Sequence, residues 1–130
     1  MINKIIIFLI IISNLIIFSA SSDDQISFDV TEIEILDDGN TIIGKKRGTI
    51  TTNNGFIIEA DEFKFDKVEN TLKAQGNISI KDQINNYNFS AQDILYKKNE
   101  EKIEIKGKAK ALVNTGYEFK SENIIFLRNE

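Results

Sequence analysis

The residues able to do chemistry fall in a few short runs: Asp37-Asp38-Gly39-Asn40, Lys45-Lys46-Arg47, the pair Asp61-Glu62, the pair Gln92-Asp93 and the mixed run Lys97 to Lys102. Around them the chain carries no Cys, His, Trp or Pro. That composition leaves no thiol nucleophile, no imidazole base and no zinc site of the His or Cys kind, so the common catalytic triads are excluded. Asp61, Glu62 and Asp93 could supply oxygen ligands to a divalent cation, and the competing reading is of solvated polar residues in a strand irregularity. Asp37 to Asn40 lacks the further ligands of a calcium loop and reads as a turn. Lys45-Lys46-Arg47 could meet phosphate or could charge an exposed edge against aggregation. The run from Lys97 to Lys102 has both signs and reads as a solvated hairpin tip. Asn77-Ile78-Ser79 and Asn88-Phe89-Ser90 match the glycosylation pattern but fall inside strands, so they carry no weight.

The elements that would position these residues follow from the rest of the chain. A length of 130 residues suits one domain. With 16 basic against 20 acidic residues the formal net charge is -4, and there is no basic field to hold nucleic acid. The amino terminus, MINKIIIFLIIISNLIIFSASSDD, has one positive charge at Lys4, an apolar run from Ile5 to Phe18 and then small residues. These are the parts of a secretory signal, with cleavage after Ser21 or a residue away. The alternative is an uncleaved anchor, although the apolar run is shorter than the about 20 residues that span a bilayer. Residues 1–21 are thus expected to be a signal and residues 22–130 the domain, which lies outside the cytoplasm.

The domain repeats. Ile58-x-Ala60-x-x-Phe63-x-Phe65 is answered by Phe89-x-Ala91-x-x-Ile94-x-Tyr96, by Phe119-x-Ser121-x-x-Ile124-x-Phe126 and, earlier, by Phe28-x-Val30-x-x-Ile33-x-Ile35; the copies start 30, 31 and 30 residues apart. Within each copy the apolar residues alternate, as in a half-buried strand, but the register skips one residue. The skip predicts a β-bulge at Thr31-Glu32, Asp61-Glu62, Gln92-Asp93 and Glu122-Asn123. Four polar pairs of unmatched charge at one position argue against catalysis by any one of them. A second pattern, Leu72-x-Ala74-x-Gly76-x-Ile78-x-Ile80, recurs at Ile103 to Ala111 around Gly107. A looser copy aligns at Gly48-x-Ile50-x-Thr52. Each glycine reads as the corner where a strand bends. Turns are expected at Asp37 to Asn40, Asn53 to Gly55, Lys67 to Asn70, Asn85-Asn86, Lys97 to Lys102 and Asn114 to Gly116. The expectation is an all-β domain of about eight antiparallel strands, folded over its apolar face as a sandwich or roll.

The unit A-D-x-F-x-F-D-x-x-x-N-T-L-x-A-x-G-N-I-x-I at 60–80 resembles the repeat of the OstA-like family, which includes the periplasmic lipopolysaccharide-transport proteins LptA and LptC and the amino-terminal domain of LptD. The resemblance covers almost all of residues 22–130 and is clearest in the second and third copies. It implies an OstA-like β-jellyroll, an open and curved antiparallel sandwich of stacked hairpins, with no cofactor and no enzymatic activity. It also implies that lipopolysaccharide acyl chains are shielded in an apolar groove in the periplasm, and that domains join through their terminal strands. The inward face is expected to comprise Ile58, Phe63 and Phe65, then Leu72, Ile78 and Ile80, then Phe89, Ile94 and Tyr96, then Ile103 and Ile105, and finally Phe119, Ile124 and Phe126. The competing readings of this face are a dry core and a structural β-roll repeat of a surface protein. Ile124 to Leu127 stand midway through a fourth unit with no returning strand, which predicts an unpaired edge open to β-augmentation. The same ending fits either a bridge protein or the amino-terminal domain of LptD.

Overall fold

The computed structural model describes residues 26–114 and 116–128. The signal expected over residues 1–21 lies outside them. The described residues form one antiparallel sheet of ten strands, with no α-helix among them. In chain order these are β1 (Ile26–Asp29), β2 (Glu32–Leu36), β3 (Thr41–Lys45), β4 (Gly48–Thr52), β5 (Phe56–Ala60), β6 (Glu62–Asp66), β7 (Thr71–Asp82), β8 (Tyr87–Lys97), β9 (Lys102–Leu112) and β10 (Glu118–Leu127). The described residues make seven passes where about eight were expected, and ten strands result because the three earliest passes each break in two at a bend, giving β1 with β2, β3 with β4 and β5 with β6. All six expected turns connect strands. Their left-handed residues are Asp37, Asp38 and Gly39, then Gly55, Asn70, Asn86, Glu101 and Gly116, mostly the Asn, Asp and Gly types that adopt this conformation at least expense.

The bend runs across every pass. The leading part of β7 pairs with β6, from Thr71 opposite Asp66 to Gln75 opposite Glu62, and its trailing part pairs with β5, from Ser79 opposite Glu59 to Asp82 opposite Phe56. Between them the register against β8 shifts, so that Gly76-Asn77 faces Gln92 alone. In the same way Gly107-Lys108 of β9 faces Glu122 of β10 alone. The bulges therefore occur where the polar pairs predicted them, but the extra residue sits on the glycine-bearing strand. Gly76 and Gly107 have φ of +81° and +79°. A Cβ on Gly76 would come within 2.5 Å of Asp61 Oδ2, and one on Gly107 within 2.9 Å of Gln92 Cβ. Each glycine clears room for the polar side chain of the neighbouring strand. In the looser copy Lys46, at φ +68°, takes the left-handed place. Gly48 pairs with Ala60 as Ile78 pairs with Ala91, so the sequence alignment of Gly48 with Gly76 is displaced by two residues, which accounts for its longer path from the turn.

The bend folds the sheet across itself into two layers. One holds β2, β3, β6, the leading parts of β7 and β9 and the trailing parts of β8 and β10; the other holds the rest. Ring contacts cross between them: Phe28 with Phe65 at 6.0 Å, Phe56 with Tyr96 at 5.4 Å and Phe89 with Phe126 at 5.0 Å between centroids. Alternation sends one set of side chains from both layers inward, and these make one continuous core cluster.

Candidate functional site

Eleven of the fourteen residues expected on the inward, lipid-binding face are buried in that cluster: Ile58, Phe63, Phe65, Leu72, Ile78, Ile80, Phe89, Ile94, Tyr96, Ile103 and Ile105. Several, including Ile58, Ile80, Tyr96 and Ile103, are 0 % exposed, so the two layers are packed directly against each other. Each such side chain contributes about 1.5–3 kcal/mol on burial. Phe119 departs from the expectation. It stands directly opposite the buried Ala111 and so on the inward side of β10, yet it is 57 % exposed. Among the described residues β10 pairs with β9 alone, and no opposing layer reaches its leading half. Ile124 and Phe126, on its trailing half, pack against the core. The opposite margin is similar: Ile33 and Ile35 of β2 are 47 % and 64 % exposed, opposite Gly44 and Ile42.

The charged runs brace the bend. Arg47 Nη1 donates to Asp61 Oδ1 at 3.1 Å and to the Asn77 carbonyl at 2.8 Å, and Asn77 Nδ2 donates to Asp61 Oδ2 at 2.8 Å. Asp61 thereby ties three consecutive passes together with both carboxylate oxygens engaged. Lys45 pairs with Glu34 at 2.6 Å and Lys46 with Glu32 at 3.5 Å, so neighbouring carboxylates already neutralise the basic run. A depression of about 540 Å³ on the outer face is lined by Lys45, Lys46, Lys64 and Lys73 together with Glu32 and Glu62. Its mixed charge makes no dedicated anion site.

The seam where the free ends of the two layers meet carries a polar cluster. Asp82 ends β7 on one layer, and Arg128 follows β10 on the other. The Arg128 side chain is 8 % exposed and that of Asp82 0 %. Arg128 Nη2 donates to Asp82 Oδ1 at 2.7 Å, and Nη1 donates to the Asn54 carbonyl. The guanidinium carbon lies 3.7 Å above the Phe56 ring centre, a cation–π contact. Asn54 Nδ2 donates to the Tyr96 hydroxyl at 2.7 Å, again across the layers. Asp82 is also held by its own turn, accepting from the Ile84 and Asn85 backbone N–H groups at 3.0 and 3.2 Å and from Asn85 Nδ2 at 2.8 Å. Burial pushes its carboxyl up, but the hydrogen bonds from Arg128 and Asn85 outweigh burial and hold it below the ordinary carboxylate range.

The seam cluster was absent from the sequence reading, although a signal for it exists. Parity carries Ile78 and Ile80 on to Asp82, and Ile124 and Phe126 on to Arg128. An acid and a base at the inward phase of two strands ask for each other, because neither is stable buried alone. The chain matches no protein-family model and no curated protein.

Proposed function

We propose that the protein is a non-enzymatic carrier of the OstA-like β-jellyroll kind, acting in the periplasm, that shields lipopolysaccharide acyl chains between the two apolar layers of its bent sheet. One observation carries the reading: the inward apolar stripe runs the whole width of the sheet and continues, uncovered, onto both margins at Ile33 and Ile35 and at Phe119. A dry core has no need of apolar side chains beyond its last covered strand. A stripe that passes from one domain to the next does, and β10 and β2 each pair on one side only among the described residues. Edge pairing with other OstA-like domains at the inner and outer membranes would extend the stripe by β-augmentation. The same role suits a free bridge protein or the amino-terminal domain of LptD.

A photo-reactive residue in place of Phe63 or Ile94 is expected to cross-link to lipopolysaccharide in the purified protein; failure at every inward position rejects the proposal. A second reading, a structural β-roll with a dry core, is favoured by the complete burial of Ile58, Ile80, Tyr96 and Ile103. Lipid extraction of protein purified from its host separates the two, since only a carrier retains an acylated glycolipid.

A further inference from the structure

In the packed state described above, the interior is shut, and an acyl chain reaches it only if the seam parts. The hydrogen-bond ladders run within each layer, so the layers can separate at the seam without breaking a ladder. The polar contacts named across the seam converge on Asn54 and Arg128. Below them lies an aromatic floor in which Phe126 meets Phe56 at 6.2 Å, Tyr87 at 5.8 Å and Phe89 at 5.0 Å. We propose that Arg128 is a releasable clasp over this interior, and that its guanidinium recognises the acidic head of an amphiphile whose chain passes beneath it. Passage of the chain rests on the carrier reading above; the clasp itself does not.

Two features make the clasp releasable. Asp82 keeps three donors from its own turn when Arg128 leaves, so the carboxylate left behind is not orphaned. Arg128 is incompletely satisfied in the closed state: its Nε is buried and has no hydrogen-bond partner among the described residues. An arriving carboxylate or phosphate presents two oxygens and can take Nε and Nη2 side by side, the fork geometry that guanidinium favours. The acidic head thus offers Arg128 a bond that the closed state lacks, and a ligand shifts an equilibrium only by such a difference between the two states.

The experiment uses the purified protein, an apolar fluorescent dye, and two amphiphiles of equal chain length below their micellar concentrations: dodecyl phosphate and the neutral dodecyl maltoside. Hydroxyl-radical footprinting of Phe56 and Tyr96 reports opening without any ligand. Arg128→Gln is expected to raise labelling at both residues, to tighten dye binding about tenfold or more, as follows when a minor open state becomes the main one, and to abolish a wild-type preference for dodecyl phosphate. Asp82→Asn loosens the clasp but leaves the guanidinium, so labelling and dye affinity rise while the preference stays. Unchanged labelling in both variants overturns the clasp. If Arg128→Gln loses its strand circular dichroism, unchanged labelling in Asp82→Asn alone overturns it. Increased labelling with no amphiphile binding by any form leaves the clasp standing, and overturns the recognition of an acidic head together with the carrier reading. A preference for dodecyl phosphate that survives Arg128→Gln overturns that recognition by itself.

Discussion

Gly76 is the residue on which the bend of the central strand turns. Its φ of +81° costs an L-residue about 1–2 kcal/mol, and a Cβ would meet the Asp61 carboxylate 2.5 Å away. Gly76→Ala is therefore expected to lower the urea midpoint by an amount equivalent to at least about 1 kcal/mol, and Asp61→Ala in the same chain recovers part of the loss. Full additivity of the two changes contradicts the contact. Lys46, left-handed at φ +68°, makes the converse case. Lys46→Gly is expected to stabilise the domain by up to about 1 kcal/mol, the relief of left-handed strain less the added chain entropy. Asp82 sets a pH limit. Its native carboxyl titrates below its unfolded value, so it contributes stability that is complete above about pH 4 and is lost as pH falls through the native value. Denaturation followed from pH 7 to pH 2 is expected to show an acid limb that Asp82→Asn flattens; an unchanged limb contradicts the assignment. Of the acid pair that stands out in the sequence, Asp61 proves to be bracing at the bend. For the pair that matters at the seam, Asp82 and Arg128, alternation marks each residue as inward but does not join them, because they are 46 residues apart.

At the scale of elements, turn chemistry and alternation were legible almost throughout. Asn, Asp and Gly clusters marked four of the six hairpins and charged runs with a single Asn the other two, at Lys67 to Asn70 and Lys97 to Lys102, and the skips at Asp61-Glu62, Gln92-Asp93 and Glu122-Asn123 marked the bend. What sequence left open was which strand of each bulge carries the extra residue. A skip in one strand and a Gly-Asn or Gly-Lys pair in its neighbour are two views of one register shift, and only pairing separates them. The number of strands differed for a similar reason: Asp61 and the Lys46-Arg47 corner interrupt a ladder that β7 to β10 carry through. Phe119 shows the limit of alternation, which gives the side of a sheet but not what covers it. From this follows a prediction for the edge. If β10 pairs with another copy or another domain, Phe119→Lys is expected to weaken concentration-dependent association in analytical ultracentrifugation, with little effect on thermal stability because the side chain is exposed. Unaltered association contradicts a role for that edge.

For the molecule as a whole, stability is expected to depend on packing between the layers more than on any surface pair. Ile80→Ala or Ile103→Ala, each at a site that is 0 % exposed, is expected to cost about 2–5 kcal/mol in denaturant unfolding. Breaking the exposed Lys45–Glu34 pair is expected to leave the denaturation midpoint almost unchanged. Comparable losses at the two kinds of site contradict a core shared by both layers. Such a core sets the terms for any carrier role, because an acyl chain replaces contacts that the closed layers already make with each other. The amino-acid sequence by itself determined the all-β class, the repeat, the turns, the inward residues from Ile58 to Ile105 and the exclusion of the common catalytic chemistries. These are properties of residue type and short-range period, which a chain displays before it folds. Only the tertiary structure decided that the inward faces close on one another, that Phe119, Ile33 and Ile35 lie uncovered at the margins, and that Arg128 and Asp82 meet over Phe56. Each depends on which layer a distant segment reaches after the bend, and local pattern holds no record of that.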